Sequence, residues 1–411
     1  MKQKRRQTDL IIVGAGPAGL SAAVVAAEND LNVTVVDEFM TPGGRMLGQF
    51  HNEPGKGWWI GKQIATELIE QIDKLGVRIC CGVSVYSMHR TDNGWEVSTS
   101  QGAITSPYVL LATGAAEIPL PTSGWTLPGV MSIGAAQVMT NVHYVKPGKR
   151  GLIIGVNVLA MAIASELAVS GVSLAGIVLP SGSSFAGKAA EPKKSLEVLM
   201  DVSHLAPSLL LRMGGRITKA MNMTGSIVNL FPRRGVKIGG IPLMLRTTAL
   251  SINGVNQVES VTLADVNAQG VAIPGSEREE AVDFVALSGG LYPLAELASV
   301  AGCPFIYVSE LGGHIPLHSE RMQTPLKGLY VAGNITGVES ALVAMSQGQL
   351  AATSICHDAG TFGKQGEQKV VSAVDHVDQV RSSALIQFHP GIAAARRRLY
   401  RMWQETMKVG V

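Results

Sequence analysis

Two short segments of this chain have the residue types and spacing to grip a pyrophosphate, and they are unequal. The first, Gly14-Ala15-Gly16-Pro17-Ala18-Gly19, follows the apolar run Leu10-Ile11-Ile12-Val13. In a G-x-G-x-x-G segment the first glycine makes the tight turn and the second lets backbone approach the phosphates. The third lets the helix pack on the strand. The helix that follows presents free N–H groups and the positive end of its dipole. The second segment, Gly155-Val156-Asn157-Val158-Leu159-Ala160, follows Leu152-Ile153-Ile154 and keeps one glycine of the three. Asn157 stands where close approach needs glycine, so its side chain must intrude or swing aside. Ala160 is a tolerated third residue.

A dinucleotide site also needs an acid about 20 residues past the glycines, to hydrogen-bond the ribose. The first segment has one, since Val33-Thr34-Val35-Val36 ends in Asp37-Glu38. After the second, Ala175-Gly176-Ile177-Val178-Leu179 runs into Pro180-Ser181. That strand end has neither an acid for an NAD ribose nor an arginine for an NADP phosphate, so nicotinamide binding is disfavoured there. No residue declares itself catalytic. His51, His314 and His318 are candidates, but acid–base roles need a geometry that spacing does not show. No metal-ligand pattern is present.

The elements that must position these residues follow a doubled α/β plan. Residues 9–38 read as a β-α-β unit, with the small-residue helix Leu20–Ala27 between its strands. Thr41-Pro42-Gly43-Gly44-Arg45 is a turn that brings backbone and a cation back toward the nucleotide. Helical spacing marks Gly61–Leu75, and residues 77–111 read as strands ending in Ala112-Thr113-Gly114. Lys149–Leu179 repeats the strand–turn–helix–strand order. Residues 181–250 look irregular, with scattered Arg212, Arg216, Arg233, Arg234 and Arg246, read as a solvated face, with a polyanion site as the lesser alternative. Gly328–Asn334 is a strand entering a turn, with a helix from Ser340 to about Ile355. Residues 358–370 read as a linker, and Pro390-Gly391 opens a basic helix to Trp403.

Composition narrows the class. The 411 residues suit two ordinary domains, and 46% hydrophobic with 16% charged residues can fill large cores. A net charge of +3 argues against a dedicated nucleic-acid binder. Lys2, Lys4, Arg5 and Arg6 before Leu10–Ala27 resemble a signal peptide, but cleavage there would discard the phosphate loop, so they read as a solvated arm. No segment reads as membrane-spanning. Cys80, Cys81, Cys303 and Cys356 form no C-x-x-C, so neither a redox dithiol nor an iron–sulfur ligand set is expected within this chain. The expected compartment is the cytoplasm, with attachment at the inner membrane through partner subunits left open.

Gly14–Gly19, Ala112-Thr113-Gly114 and Gly328–Asn334 together resemble the three FAD-binding segments of the two-dinucleotide-domain flavoproteins related to thioredoxin reductase, over about residues 8–357. The resemblance implies an α/β fold of two Rossmann-like domains, one inserted in the other. The FAD domain would take residues 1–120 and 291–357, the inserted NAD(P)-type domain 121–290, and a linker with helical tail 358–411. It further implies FAD along Gly14, Gly16, Pro17, Ala18 and Gly19, with Asp37 and Glu38 at the ribose and Gly44 and Arg45 along the cofactor. Val85 would meet the adenine, Thr113 and Gly114 the pyrophosphate side, and Gly333 and Asn334 the ribityl chain. The helix from Ser340-Ala341 would point at the flavin. The family usually has Asp where this chain has Asn334, which still hydrogen-bonds a hydroxyl.

Within that family, Val109–Ala136, with Gly124-Trp125-Thr126-Leu127-Pro128-Gly129-Val130-Met131, is similar to alpha-type subunits of amine-oxidising complexes. These include opine oxidase, D-hydroxyproline and dye-linked L-proline dehydrogenases, hydrogen cyanide synthase and sarcosine oxidase. The resemblance implies a second flavoprotein, a beta-type subunit that oxidises the amine, and allows a small iron–sulfur subunit. It also allows ATP or ADP at the second loop. A stand-alone NAD(P)H-dependent FAD oxidoreductase without a redox disulfide is the alternative, and a scaffold that keeps FAD for stability is a third reading.

Overall fold

The structure, a computed structural model, describes residues 6–53, 57–183, 186–201, 231–385 and 387–409. Arg212 and Arg216 of the expected basic stretch, and Lys2, Lys4 and Arg5, lie outside these residues. The chain divides into two compact units. Unit 1 comprises Met1–Leu47, Ile60–Ala116 and Leu291–Val411; unit 2 comprises Gly48–Trp59 and Glu117–Gly290. Among the described residues the helices in chain order are α1 (Pro17–Glu28), α2 (Gly61–Lys74), α3 (Ile133–Asn141), α4 (Val158–Val169), α5 (Pro192–Asp201), α6 (Glu296–Val300), α7 (Ala341–Asp358), α8 (Gly366–Ser383) and α9 (Ile392–Val409).

Unit 1 is built on a five-stranded sheet in the order Leu329–Val331, Tyr108–Leu111, Leu10–Val13, Val33–Val36, Arg78–Cys80. Every pairing is parallel, with Leu10 opposite both Val33 and Tyr108. All four residues of Leu10–Val13 and of Val33–Val36 are buried, as expected of parallel strands covered on both faces. One face carries a core of Ile11, Val13, Val36, Val109, Leu111 and Val331, shared with Met88, Trp95 and Val97 of a smaller sheet. The opposite side receives α1, which crosses α7 with backbones in near contact. A Cβ on Gly348 would fall 2.0 Å from the Ala18 carbonyl oxygen.

Unit 2 repeats the plan on a larger sheet, with Val130–Ser132, Phe284–Leu287, Arg150–Ile154, Ser173–Pro180 and Ile241–Asn253 parallel in that order. Two antiparallel strands, Ser260–Asp265 and Arg278–Ala281, extend it. α3 and α4 pack on one face through Ile133, Ala160, Ile163 and Leu167 against Ile153, Ile177, Leu243 and Phe284.

Two stretches differ from expectation. The segment 181–250, expected to be irregular, contains α5 and the start of the long strand Ile241–Asn253. Its continuous apolar run Ile-Pro-Leu-Met-Leu hides the alternation that marks a strand, because this strand is buried within the sheet. The expected linker at 358–370 is shorter. α7 reaches Asp358, and α8 begins at Gly366. α8 is polar and buries only Gly366, Val370, Val377 and Arg381, so its apolar stripe is thin. α9 runs to Val409, beyond Trp403. Among the described residues no helix is long and apolar enough to cross a membrane.

Candidate functional site

The Gly14–Gly19 loop is shaped by contacts that only glycine permits. Gly14 has φ +106°, and a Cβ there would fall 2.4 Å from the Ala112 carbonyl oxygen. A Cβ on Gly19 would fall 1.9 Å from the Gly14 carbonyl oxygen, which fixes how closely α1 meets the strand. At Gly16 the situation reverses: among the described residues nothing lies within 4 Å of a Cβ position. Gly16 is the N-cap of α1 with no side-chain cap, and Pro17 opens the helix. No side chain of the N-cap residue takes the first-turn N–H groups, an arrangement that suits a pyrophosphate.

Neighbouring segments close around this opening. Gly43 N–H donates to the Ala15 carbonyl at 2.7 Å, and a Cβ on Gly44 would approach Gly16 Cα to 3.0 Å. Arg45 is exposed, with its Nε donating to the Ala115 carbonyl at 3.0 Å. Gly114 has φ +79° and open space at its Cβ position, whereas the Thr113 hydroxyl donates to the Leu294 carbonyl at 2.5 Å. Gly333 seats on α1, a Cβ there lying 2.8 Å from Ala18 Cβ. Gly14, Gly16, Pro17, Ala18, Gly19, Gly44, Gly114 and Gly333 thus gather at one end of the parallel sheet, outside the carboxyl ends of its strands.

The remaining expected residues are placed as follows. Asp37 is buried at the end of its strand. Its carboxylate accepts from Ala15 N–H at 2.5 Å and from Phe39 N–H at 2.8 Å, which ties the phosphate loop to the neighbouring strand. Glu38 is exposed. Val85 pairs with Thr99 in the smaller sheet, and Val83 is the residue whose N–H bonds the Asp37 carbonyl, at 2.9 Å. Asn334 turns its Oδ1 to Glu339 N–H at 3.1 Å, so a ribityl hydroxyl is left to its amide nitrogen. Ser340 caps α7 by accepting from Val343 N–H at 3.4 Å, and Ala341 follows, half-buried.

The second loop starts on the same kind of left-handed glycine and ends differently. Gly155 has φ +113°, and a Cβ there would fall 2.1 Å from the Ser288 carbonyl oxygen. Asn157, however, neither intrudes at random nor swings away. Its Oδ1 accepts from Ala160 N–H at 2.9 Å, and its Nδ2 donates to the Ser288 carbonyl at 2.9 Å. The side chain caps α4 and takes one of the N–H groups that a phosphate would use. Elsewhere in unit 2, Glu166 of α4 is buried and accepts from Gln137 Nε2 at 2.6 Å and Asn141 Nδ2 at 3.2 Å. Burial, only partly offset by these amide donors, pushes its carboxyl up to about 7.

The three histidines have unlike surroundings. His318 is fully buried, and burial followed by the Arg396 charge holds it down to about 3. His314 is exposed, edge-on to Tyr307, and His51 stacks on Trp59. Cys303 and Cys356 are buried thiols, pushed up by burial to about 12 and about 11. The residues that spacing did not single out are Gln347, Glu339 and Gly348. The visible signal was a glycine inside a helix, which marks close backbone approach.

The chain belongs to the pyridine nucleotide-disulphide oxidoreductase family, whose profile matches residues 8–348. That membership places it among the flavin oxidoreductases and implies FAD binding, for which the open Gly16 cradle is suited. It is 28% identical to the A-subunit of opine oxidase from Agrobacterium tumefaciens, over 85% of this chain and 65% of that protein. It is 24% identical to the HcnB subunit of hydrogen cyanide synthase from Pseudomonas protegens, over 86% of this chain and 71% of that one. The chain spans less than two thirds of two of the opine oxidase A-subunits it matches, 65% of the one from Agrobacterium tumefaciens and 63% of one from Rhizobium meliloti. L-proline dehydrogenase from P. horikoshii shares the fold, with a TM-score of 0.62 at 18% identity over 90% of this chain and 60% of that one.

Proposed function

We propose that this family member is the FAD-bearing alpha-type subunit of a multi-subunit dehydrogenase acting on CH–NH bonds of an opine, a proline-like amino acid or a related secondary amine. A partner flavoprotein of beta type would take the hydride from the carbon next to nitrogen. FAD bound here would supply one- and two-electron chemistry for passing those electrons on. In this chain Gly16 and the first turn of α1 would hold the pyrophosphate, and Asp37 the ribose. Asn334 and Gly333 would line the ribityl side, with the α7 N-terminus beyond them. The observation that carries the reading is the contrast at the loops: the first helix N-terminus is open, and the second is capped by Asn157. A capped second loop disfavours NAD(P)H as the electron source and favours a protein partner. An adenine nucleotide in unit 2 would have to be gripped without the Ala160 N–H, and any iron–sulfur cluster would belong to a partner.

The test is direct. The isolated holoprotein is titrated with NADH and NADPH while flavin absorbance is followed. The same assay is then run on the complex with an amine substrate and a dye. Dye reduction that needs both amine and complex, with no bleaching by nicotinamides, is the expected result. Rapid bleaching of the isolated chain by NADH would sink this reading in favour of a stand-alone reductase. A flavin silent in both assays would leave a scaffold.

A further inference from the structure

A buried ion-pair cluster joins the two C-terminal helices to the loop after the strand Leu329–Val331. Glu339, 6% exposed, stands immediately before the α7 cap. Its Oε1 accepts from Arg381 Nε of α8 at 2.6 Å, and its Oε2 from Arg396 Nη2 of α9 at 2.6 Å. Gln347 Nε2 adds a donor to Oε2 at 3.3 Å. The other end of the Gln347 amide accepts from Gly333 N–H at 2.9 Å and from the Thr336 hydroxyl at 3.3 Å. A continuous set of hydrogen bonds thus runs from α8 and α9 through Glu339 and Gln347 to Gly333, the residue seated on Ala18 of α1.

The charges in this arrangement are unequal in number. His318 donates from Nδ1 to the Pro316 carbonyl at 2.7 Å, so Nε2, 3.4 Å from Arg396 Nη1, is an unprotonated acceptor and adds no charge. Glu339 is therefore the buried anion shared by two guanidiniums, with the exposed Asp378 taking Arg381 Nη1 at 2.6 Å. Burial opposes its charge, yet Arg396 and Arg381 hold its carboxyl below the ordinary range. Gly337, at φ +131°, lies between Leu311 and the same arginine, a Cβ there falling 2.9 Å from Leu311 Cβ and 3.1 Å from Arg396 Nη2. Stability alone does not call for such a cluster, because apolar replacements of buried ion pairs are often neutral or stabilising. Directional bonds to one loop do call for it.

We propose that the C-terminal helices are a working part of the FAD site: Glu339, clamped between Arg381 and Arg396, is a positioning residue that sets the 333–340 loop against the flavin end of the cofactor. The proposal rests on the FAD reading above and goes beyond it by assigning α8 and α9 to the site.

The experiment uses the full chain, stripped of flavin and titrated with FAD. The readouts are affinity from flavin fluorescence and the midpoint potential of the bound flavin. Glu339→Gln is expected to weaken FAD by about tenfold, the scale of an ordinary coupling between sites. It also removes a negative charge beside the flavin end, so the potential moves to more positive values. Arg396→Lys keeps the charge but loses the planar fork, so it weakens FAD less and leaves the potential in place. Val97→Ala, in the core of unit 1 and outside the cluster, is expected to lower the melting temperature and change neither readout. The proposal is overturned if Glu339→Gln and Arg396→Lys both bind FAD as the wild type does with the same potential. It is equally overturned if Val97→Ala loses as much FAD affinity as Glu339→Gln. Should Glu339→Gln not fold, Arg396→Lys against Val97→Ala decides. A wild type that takes up no FAD overturns the cofactor reading itself, and this proposal with it.

Discussion

Gly14–Gly19 and Gly155–Ala160 are the same turn used for opposite ends. Both begin with a glycine in the left-handed region whose missing Cβ admits a carbonyl from a neighbouring strand end, Ala112 in one and Ser288 in the other. Both lead into a helix on a parallel sheet. They part at one residue. Gly16 leaves the α1 N-terminus unsatisfied, and Asn157 satisfies that of α4 from within the chain. A helix start has donors that must go somewhere. Whether a ligand or a side chain takes them separates a site from a scaffold, and neither strand nor helix need change.

The largest effect should come from making the first loop like the second. Gly16→Asn places a cap on α1, and FAD affinity should fall at least about a thousandfold, or ~4 kcal/mol. Equilibrium titration of the stripped protein measures it, and retained tight binding would show that the α1 N-terminus is not where the phosphates sit.

The next effect contrasts the buried acids of the two units. Asp37 is held by backbone N–H groups alone, whereas Glu166 takes two side-chain amides and one longer backbone contact, from Phe50 N–H at 3.4 Å. The folded-state carboxyl of Glu166 is raised from 4.5 to about 7. A raised pKa means that its contribution is fully present below about pH 4.5 and is lost as pH rises through about 7. Relative to Glu166→Gln, wild-type unit 2 should lose about 2 to 3 kcal/mol of stability between pH 5 and pH 8. Urea unfolding of both proteins at the two pH values checks this, and parallel pH profiles would remove the contrast.

The smallest effect is the reverse exchange. Asn157→Ala removes the α4 cap and should cost unit 2 about 1 kcal/mol. Asn157→Gly should cost less in capping and open the loop. Denaturation curves and an NADH titration separate the two consequences, and an unchanged stability in Asn157→Ala would mean that the cap is idle.

What could be read from the residues alone follows the range of the interactions. The phosphate loop, the strands around it and the Asp37 position are local patterns, and the chain carries them within thirty residues. The fate of Asn157 required Ser288, 131 residues away. The Glu339 clamp requires arginines 42 and 57 residues downstream, the first on α8, whose polar sequence offers only a thin apolar stripe, and the second on α9, which packs through Ile392, Ala395 and Leu399. Pairings of that span leave no mark in spacing, so the C-terminal segment read as a linker and a tail.

The close crossing of α1 and α7 has a consequence for synthesis. Gly348 follows Ala18 by some 330 residues in synthesis, and the strand Leu329–Val331, which joins Tyr108–Leu111, is made almost as late. Over that interval the emerging N-terminal β-α-β segment has one apolar flank without its partner, while the bulk of unit 2 already has its strands. Pairings this distant along the chain form slowly, and incomplete sheets with open edges are prone to association. Expression at lower temperature or with chaperones should therefore raise the yield of this chain more than any change made within unit 2.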